Sequence, residues 1–195
     1  MCGLVGFLAA NNDASHFVGA VERALPCMYH RGPDAAGTWN DDDAVFGFNR
    51  LAIIDIEHSD QPLRWGPAAN PERYALVFNG EIYNYLELRE ELAAAGYEFN
   101  TSGDGEPIVV GFHHWGAEVV NHLRGMFGFV IWDTETRTMF AARDQFGIKP
   151  LYYATTDKGT VFASEMKCIL SMADSMGLDL SLDTVSYTHL RAHET

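Results

Sequence analysis

Cys2 follows Met1 in Met1-Cys2-Gly3-Leu4-Val5-Gly6-Phe7. Removal of one methionine would place a thiol and a free α-amino group on the same residue. A free α-amine has a pKa of about 8 and a free thiol about 8.5. Near neutrality a useful fraction of the amine is therefore unprotonated and can take the thiol proton, directly or through a water. Such a residue is nucleophile and base at once, the arrangement needed for acyl transfer through a covalent intermediate. The short side chain at position 2 favours removal of Met1.

Other side chains offer chemistry to accompany it. Arg50 supplies a planar cationic fork suited to a carboxylate. Asn79 and Gly80 read by themselves as a plain turn, although a carboxamide and a closely approachable backbone N–H are also uncharged donors that could hold an oxyanion. Asp104, in Ser102-Gly103-Asp104, is equally suited to capping a helix. The triplet Asp41-Asp42-Asp43 reads as a solvated turn, because consecutive carboxylates point apart. His113, His114 and His122 suggest no metal site either, adjacent helical residues pointing about 100° apart.

Bulk properties narrow the class. The 195 residues are 47% hydrophobic and 12% aromatic, enough apolar material for the core of one domain. A net charge of −14 with only 13 Lys and Arg argues against nucleic acid or an anionic membrane as partner. Cys2, Cys27 and Cys168 are odd in number and lack CxxC spacing, so neither a disulfide framework nor a zinc site is expected, and a reducing cytoplasm fits. No basic, apolar leader and no apolar run of about 18 residues is present, from which a soluble, unexported protein is expected.

The elements that must position these residues follow from pattern. Cys2 to Ala10 reads as a strand and Ala14 to Met28 as a helix with Cys27 on its buried side. Arg31-Gly32-Pro33-Asp34 is a loop, Ala44 to Asn49 a strand, and Gln61 to Arg73 a loop. A strand from Tyr74 to Phe78 is read as ending at Asn79-Gly80. Tyr85, Leu88, Leu92 and Ala95 fall at helical spacing before Gly96, Tyr97 to Phe99 reads as a short strand, and Pro107 opens a helix through Trp115 and Gly116. Then come strands over Met126 to Trp132, Thr138 to Arg143, Pro150 to Ala154 and Thr160 to Ala163, read as one antiparallel meander, and a helix from Ser164 to Met172. Strands at both ends with helices between them indicate an α+β fold of antiparallel sheets layered with helices. Val185 to Thr195 does not fit the rest and, back-translated, reads like a sequencing-library adaptor. That segment is expected to be a non-native tail whose His189 and His193 carry no function, leaving 2–184 as the domain.

Five motifs in order, Met1 to Phe7, His30-Arg31-Gly32-Pro33-Asp34, Asn49-Arg50-Leu51-Ala52-Ile53-Ile54-Asp55, Phe78-Asn79-Gly80-Glu81-Ile82-Tyr83-Asn84 and Ala142-Arg143-Asp144-Gln145-Phe146-Gly147-Ile148-Lys149-Pro150-Leu151-Tyr152, carry a resemblance over about residues 2 to 175. Together they closely resemble the class II glutamine amidotransferase domain of glutamine-hydrolysing asparagine synthetase. The resemblance implies a four-layer αββα sandwich of the N-terminal nucleophile hydrolase type, and hydrolysis of the glutamine side-chain amide to glutamate and ammonia. It implies Cys2 as nucleophile, Arg50 as partner of the substrate α-carboxylate and Asn79 with Gly80 as the oxyanion hole. Glu81 and Asp104 are implied as acceptors for the substrate α-ammonium, and Leu51, Ala52, Ile53 and Ile54 as pocket lining, partly through backbone atoms. Arg31 is implied near the nucleophile and Asp34 as shaping its loop. Asp144 and Lys149 are read as scaffold for a turn leading toward a following domain. Ser102-Gly103-Asp104-Gly105-Glu106-Pro107 departs from the family's usual Ser-Asp-x-Glu, which leaves the register of Asp104 open.

No phosphate-binding loop is evident, so the chain is read as the glutaminase half of an ATP-dependent asparagine synthetase whose C-terminal synthetase domain is absent. No cofactor is expected for this half, with ATP and Mg²⁺ serving the absent domain, and a homodimer is an option for the full-length parent. Two alternatives stand beside this reading. One is the glutaminase domain of a related amidotransferase with another acceptor. The other is a non-catalytic module that binds glutamine or regulates.

Overall fold

The computed structural model describes residues 2–180; the expected adaptor-derived tail, 185–195, lies outside the described residues. In chain order the strands are β1 (Gly3–Ala9), β2 (Ala35–Asn40), β3 (Ala44–Arg50), β4 (Leu63–Trp65), β5 (Tyr74–Ile82), β6 (Gly125–Asp133), β7 (Thr138–Arg143), β8 (Tyr152–Thr156) and β9 (Gly159–Ala163). The helices are α1 (Val18–Ala24), α2 (Tyr85–Ala94), α3 (Glu106–Trp115), α4 (Val119–His122) and α5 (Met166–Met176). One sheet has the order β2-β3-β1-β9-β8 and the other β4-β5-β6-β7, with antiparallel pairing throughout.

Three apolar layers fix the stacking. Val5, Phe7, Val45 and Val161 pack beneath α1 and α5 through Val21, Cys168, Met172 and Met176. Leu76, Phe78, Phe129 and Ile131 pack beneath α2 and α3 through Leu88, Leu92, Ile108 and Val109. Between the sheets lie Leu4, Phe46, Phe48, Val77, Val130, Trp132 and Phe162. Both faces of each sheet are thus covered, which is why β1 and β3 read as continuous apolar runs rather than alternating ones. The order helix, sheet, sheet, helix is the expected four-layer sandwich.

Local deviations from the sequence reading have physical causes. The Ala14 to Met28 helix is broken: only Val18–Ala24 is α-helical, flanked by tighter turns over Ala14–Phe17 and Leu25–Arg31. Pro26 has no N–H to continue the ladder, and Met28 departs from helical geometry at φ −117°, ψ 20°. Cys27 is half-buried against the α1 layer. Residues Ala35–Asn40, not anticipated as a strand, form the edge of the first sheet because Ala36, Thr38 and Trp39 register against Asn49, Gly47 and Phe46. Leu63–Trp65, inside the expected loop, pairs with Leu76 to Tyr74.

Asn79-Gly80 does not end β5; the strand continues to Ile82, with Asn79 opposite Gly128 and Gly80 opposite Phe127. Tyr97 to Phe99 is not a strand; Tyr97 and Phe99 instead pack against the α3 layer. The late strands are not a single meander: β6 and β7 belong to one sheet, β8 and β9 to the other. Helix α2 buries Leu88 and Leu92 and stops at Gly96, φ +98°, though Ala95 is exposed. The last helix begins at Met166 and runs to Met176, closed by Gly177 at φ +65°. No helix among the described residues is long and apolar enough to cross a membrane.

Candidate active site

Cys2 precedes β1, a strand paired on both sides by β3 and β9. Its Sγ lies 3.4 Å from Leu51 N, which donates to it, and 3.6 Å from Leu51 O. Burial is the leading influence on the thiol and raises its pKa above 9.0; the Leu51 N–H, the chain's amino group and Arg50 act to lower it, while Asp104 adds to the rise. A thiol so placed is mostly protonated near neutrality and needs a proton acceptor before it can attack.

Arg31 reaches the same residue from the turn before β2. Its Nε donates to Cys2 O at 2.9 Å and its Nη1 to Glu165 Oε1 at 3.1 Å. With the Asn79 carboxamide oriented to satisfy its neighbours, its Nδ2 donates to Cys2 O at 3.0 Å and its Oδ1 accepts from Arg31 Nη2 at 3.2 Å. Three groups therefore hold the Cys2 carbonyl region: Arg31, Asn79 and, behind Arg31, Glu165. Burial would raise the Glu165 pKa, but hydrogen bonds from Lys167, Arg31 and His30 bring it below the ordinary carboxylate value.

Gly80 presents its N–H by strand parity. Opposite it, Phe127 turns both backbone groups toward Asp144: Phe127 O accepts Asp144 N at 2.8 Å and Phe127 N donates to Asp144 Oδ2 at 3.2 Å. The Gly80–Phe127 pair is consequently one of the wide, non-hydrogen-bonded rungs, and Gly80 faces away from β6. Its neighbours of the same parity are both taken, Phe78 N by Gln61 Oε1 at 2.6 Å and Ile82 N by Asp104 Oδ2 at 3.0 Å. Strand β4 has ended before this point, so the Gly80 N–H opens onto the cavity between Gln61 and Asp104. Gly80 is demanded by packing: a Cβ there would sit 2.3 Å from Met126 O and 2.6 Å from the Phe78 ring.

The cavity encloses about 160 Å³, room for a small polar molecule. Cys2, Arg50, Leu51, Ile53, Ile54, Asn79, Gly80, Glu81 and Asp104 all contribute to its wall. Of the residues expected there, Ala52 turns away and donates its N–H to Asp34 Oδ2 at 2.8 Å, which ties the Leu51 segment to the Arg-Gly-Pro-Asp loop. Arg50 is 7% exposed and uses three donors on its own loop, Nη1 to Ile56 O and Asp60 Oδ1, both 2.8 Å, and Nη2 to Asp55 O at 2.7 Å. Nε and the second Nη2 hydrogen remain for a ligand carboxylate. Asp55 anchors the far end of that loop: its Oδ2 accepts Ser102 N at 2.7 Å, and this N–H chiefly holds its pKa down at about 2.

Asp104 is not a helix cap. Gly105 holds the N-cap position of α3, with no side-chain cap, while Asp104 spends one oxygen on Ile82 N and faces the cavity. Burial raises its pKa above 3.8, Glu81 adds to the rise, and the backbone N–H groups of Ile82 and its own residue oppose it. The cavity is thus cationic at Arg50 and anionic at Glu81 and Asp104, complementary to a zwitterion.

Ser59, Gln61, Leu63, Phe78, Gly105, Met126 and Lys149 line it as well, and none was foreseen from sequence. Asp144 is the turn scaffold it was read to be, accepting from Phe146, Ile148 and Lys149 as well as Phe127. Lys149, read as scaffold too, is bonded into that turn through its N–H and carbonyl and also reaches the cavity wall. Only its position after a Gly147 turn at φ +62° hinted that the chain doubles back there.

His113, His114 and His122 serve packing. Nδ1 of His113 meets Tyr74 OH at 3.0 Å, His114 meets Tyr97 OH at 3.1 Å and His122 stacks on Trp115 at 3.9 Å. Asp41 closes its turn through Asp43 N and Ala44 N and accepts Trp132 Nε1, while Asp43 pairs with Arg137. Among the described residues no group of three or more His, Cys, Asp and Glu could hold a metal ion.

Residues 1–193 match the family model described as a glutamine amidotransferase domain. The chain is 56% identical over 200 residues to the putative glutamine-hydrolysing asparagine synthetases of Mycobacterium bovis and Mycobacterium tuberculosis, an alignment covering 97% of it and 31% of them. It is 43% identical over 184 residues to asparagine synthetase [glutamine-hydrolyzing] 1 of Bacillus subtilis, covering 92% of this chain and 28% of that one. Among solved structures, the glutamine phosphoribosylpyrophosphate amidotransferase of B. subtilis superposes with a TM-score of 0.70 at 22% identity, over 88% of this chain and 44% of that one. The chain spans about a third of the length of the curated relatives it matches.

Proposed function

The chain belongs to the glutamine amidotransferase domain family, and from that premise we propose that it hydrolyses the side-chain amide of L-glutamine through a Cys2 thioester. In this reading the α-amine, once Met1 is removed, takes the thiol proton as sulfur attacks the amide carbon. The oxyanion then forms against the Gly80 N–H and the Asn79 carboxamide. Ammonia leaves with the proton returned by the amine, and water repeats the sequence to release glutamate. Arg50 would hold the α-carboxylate through its remaining donors, and Glu81 with Asp104 the α-ammonium.

The observation that carries the reading is the unclaimed Gly80 N–H. It is a strand donor set between two occupied ones, beside the only residue here able to supply both a thiol and a terminal amine. A binding module has no need of such a donor.

Relatives about three times longer, named as asparagine synthetases, support placing this chain as the ammonia-producing part of such an enzyme. Aspartate as acceptor, a following synthetase domain, ATP and Mg²⁺ used by that domain rather than by this one, and assembly as a homodimer all belong to the proposal, as does a cytoplasmic location.

The test is intact-mass analysis before and after an electrophilic diazoketone analogue of glutamine, alongside Cys2→Ala. Loss of Met1, one adduct absent from the variant, and glutamate release from glutamine are expected. Retained Met1, or an adduct elsewhere, would overturn the reading.

A further inference from the structure

We propose that Lys149 serves the reaction by electrostatically favouring the neutral, proton-accepting form of the Cys2 α-amine. This inference rests on the reading of Cys2 as an N-terminal nucleophile and goes beyond it by giving the base a means of staying unprotonated.

Lysine is among the residues least often buried, yet Lys149 is 4% exposed and lines the same cavity as Cys2. Its backbone is fixed on both sides: its N–H donates to Asp144 Oδ2 at 3.0 Å and its carbonyl accepts Arg143 Nε at 2.7 Å. A turn that only needed to close could carry its lysine outward into water. This one is pinned so that the residue lines the cavity that Cys2 also lines.

The charges around Cys2 come from five places. Arg31 approaches from the turn before β2, Arg50 from β3, Glu81 from β5, Asp104 from the segment before α3 and Lys149 from the turn after β7. Burial is the main cause lowering the Lys149 pKa and Arg31 adds to it, while Cys2, Glu81 and Asp144 oppose it, so the Lys149 charge is within reach of Cys2, Arg31 and Glu81.

The chemistry needs such a cation. At its ordinary pKa of about 8 an α-amine is roughly nine-tenths protonated at pH 7, and a protonated amine cannot take the thiol proton. A neighbouring positive charge disfavours the ammonium and favours the thiolate, so both changes promote attack. Lys149 itself forms and breaks no bond. The proton moves from sulfur to the α-amine and then to the departing ammonia, and in the second half from water to the amine and back to sulfur.

The experiment is kcat/KM against pH from 5.5 to 9 for the wild type, Lys149→Met and Lys149→Arg. The rate of Cys2 alkylation by the diazoketone over the same range provides a readout without turnover. Loss of the charge in Lys149→Met should move the acid limb of both profiles up by roughly 0.5 to 1 pH unit. That is a three- to tenfold loss at pH 6 that largely recovers by pH 8.5. Lys149→Arg, which keeps the charge but cannot act as a base, should follow the wild type.

A Lys149→Met limb at the wild-type pH would overturn the inference. So would equal losses in both variants at every pH, which would assign Lys149 to proton transfer or to the scaffold. Failure of the wild type to be alkylated at Cys2 would instead strike the nucleophile assignment beneath it, which keeps the two distinguishable.

Discussion

The side chain of Gln61 stands in for a strand beside Phe78: its Oε1 accepts the Phe78 N–H at 2.6 Å and its Nε2 donates to Phe78 O at 3.2 Å. Strand β4 pairs with β5 only as far as Leu76, and Gln61 extends that pairing by one residue before the edge opens at Gly80. Gln61→Leu should therefore strand two buried backbone groups and destabilise the fold by about 2–4 kcal/mol, read as a lower urea midpoint at unchanged m-value. Gln61→Glu, which keeps an acceptor but loses the donor and opposes Asp104 with a second charge, should raise KM for glutamine.

Gly80→Ala tests the oxyanion donor. The added Cβ would meet Met126 O at 2.3 Å, a backbone atom that yields only if β5 and β6 separate. Displacement of the Gly80 N–H should lower kcat by about 10²- to 10³-fold with a much smaller effect on KM, measurable by steady-state glutaminase assay. A variant with normal kcat would remove Gly80 from the chemistry.

Asp104→Asn should trade affinity for stability. The amide oxygen can still accept Ile82 N, while the carboxylate that burial and Glu81 disfavour is gone. A carboxyl whose folded pKa lies above its unfolded value binds more protons when folded, so its contribution is fullest below pH 3.8 and is lost as pH rises through the folded value. At neutral pH the variant should melt above the wild type. Loss of the charge-assisted contact to the ligand ammonium should raise KM about 10- to 100-fold, by paired thermal and kinetic measurement.

Acid stability should be governed by carboxylates of the opposite kind. Asp55 is held at about 2 by Ser102 N–H, and Asp144 lies below 3.8 because the N–H groups of Lys149, Ile148, Phe127 and Phe146 outweigh its burial. Their folded values are depressed, so their contribution is complete above pH 3.8 and is lost as pH falls through the folded values. The part of the urea stability owed to Asp55 and Asp144 should be nearly flat in pH above about 4 and fall steeply toward pH 2. Asp144→Asn, which replaces the charged acceptor by a neutral one, should flatten that fall.

Much of this was legible in the sequence where one residue carried its own signal. Cys2, Arg50, Asn79 and Asp104 are chemically distinctive, and each lies on the cavity or against Cys2. The core strands Gly3–Ala9, Ala44–Arg50 and Gly125–Asp133 are apolar over most of their length, with Asn49, Arg50 and Asp133 only at their ends, and could hardly be read otherwise. Edge strand Ala35–Asn40 was missed because Ala-Ala-Gly-Thr has neither β-branched density nor alternation; the register against β3 makes it a strand. Asn79-Gly80 was read as a stop because that pair usually turns a chain, whereas here Gly80 answers a collision with a neighbouring strand. Gln61 was passed over as loop, and Lys149 was read as turn scaffold without its place on the cavity, for a related reason. Their roles arise from what the fold brings beside them, and neither residue type announces it.

The Ser164 clamp on β1 has a consequence for how the protein comes into being. Leu4 N donates to Ser164 Oγ at 3.1 Å and Ser164 N to Leu4 O at 2.8 Å, across 160 residues of chain. Strand β1 therefore leaves the ribosome long before its partner β9 exists, and until then it has β3 as its one neighbour of the two. At the 5–20 residues per second of synthesis, that interval lasts roughly 10 to 30 seconds. The walls of the cavity, by contrast, draw on residues from Cys2 to Lys149 and on no residue of β9. What β9 adds is the second neighbour of β1, so the strand that carries Cys2 is the last part of the site to be fixed from both sides.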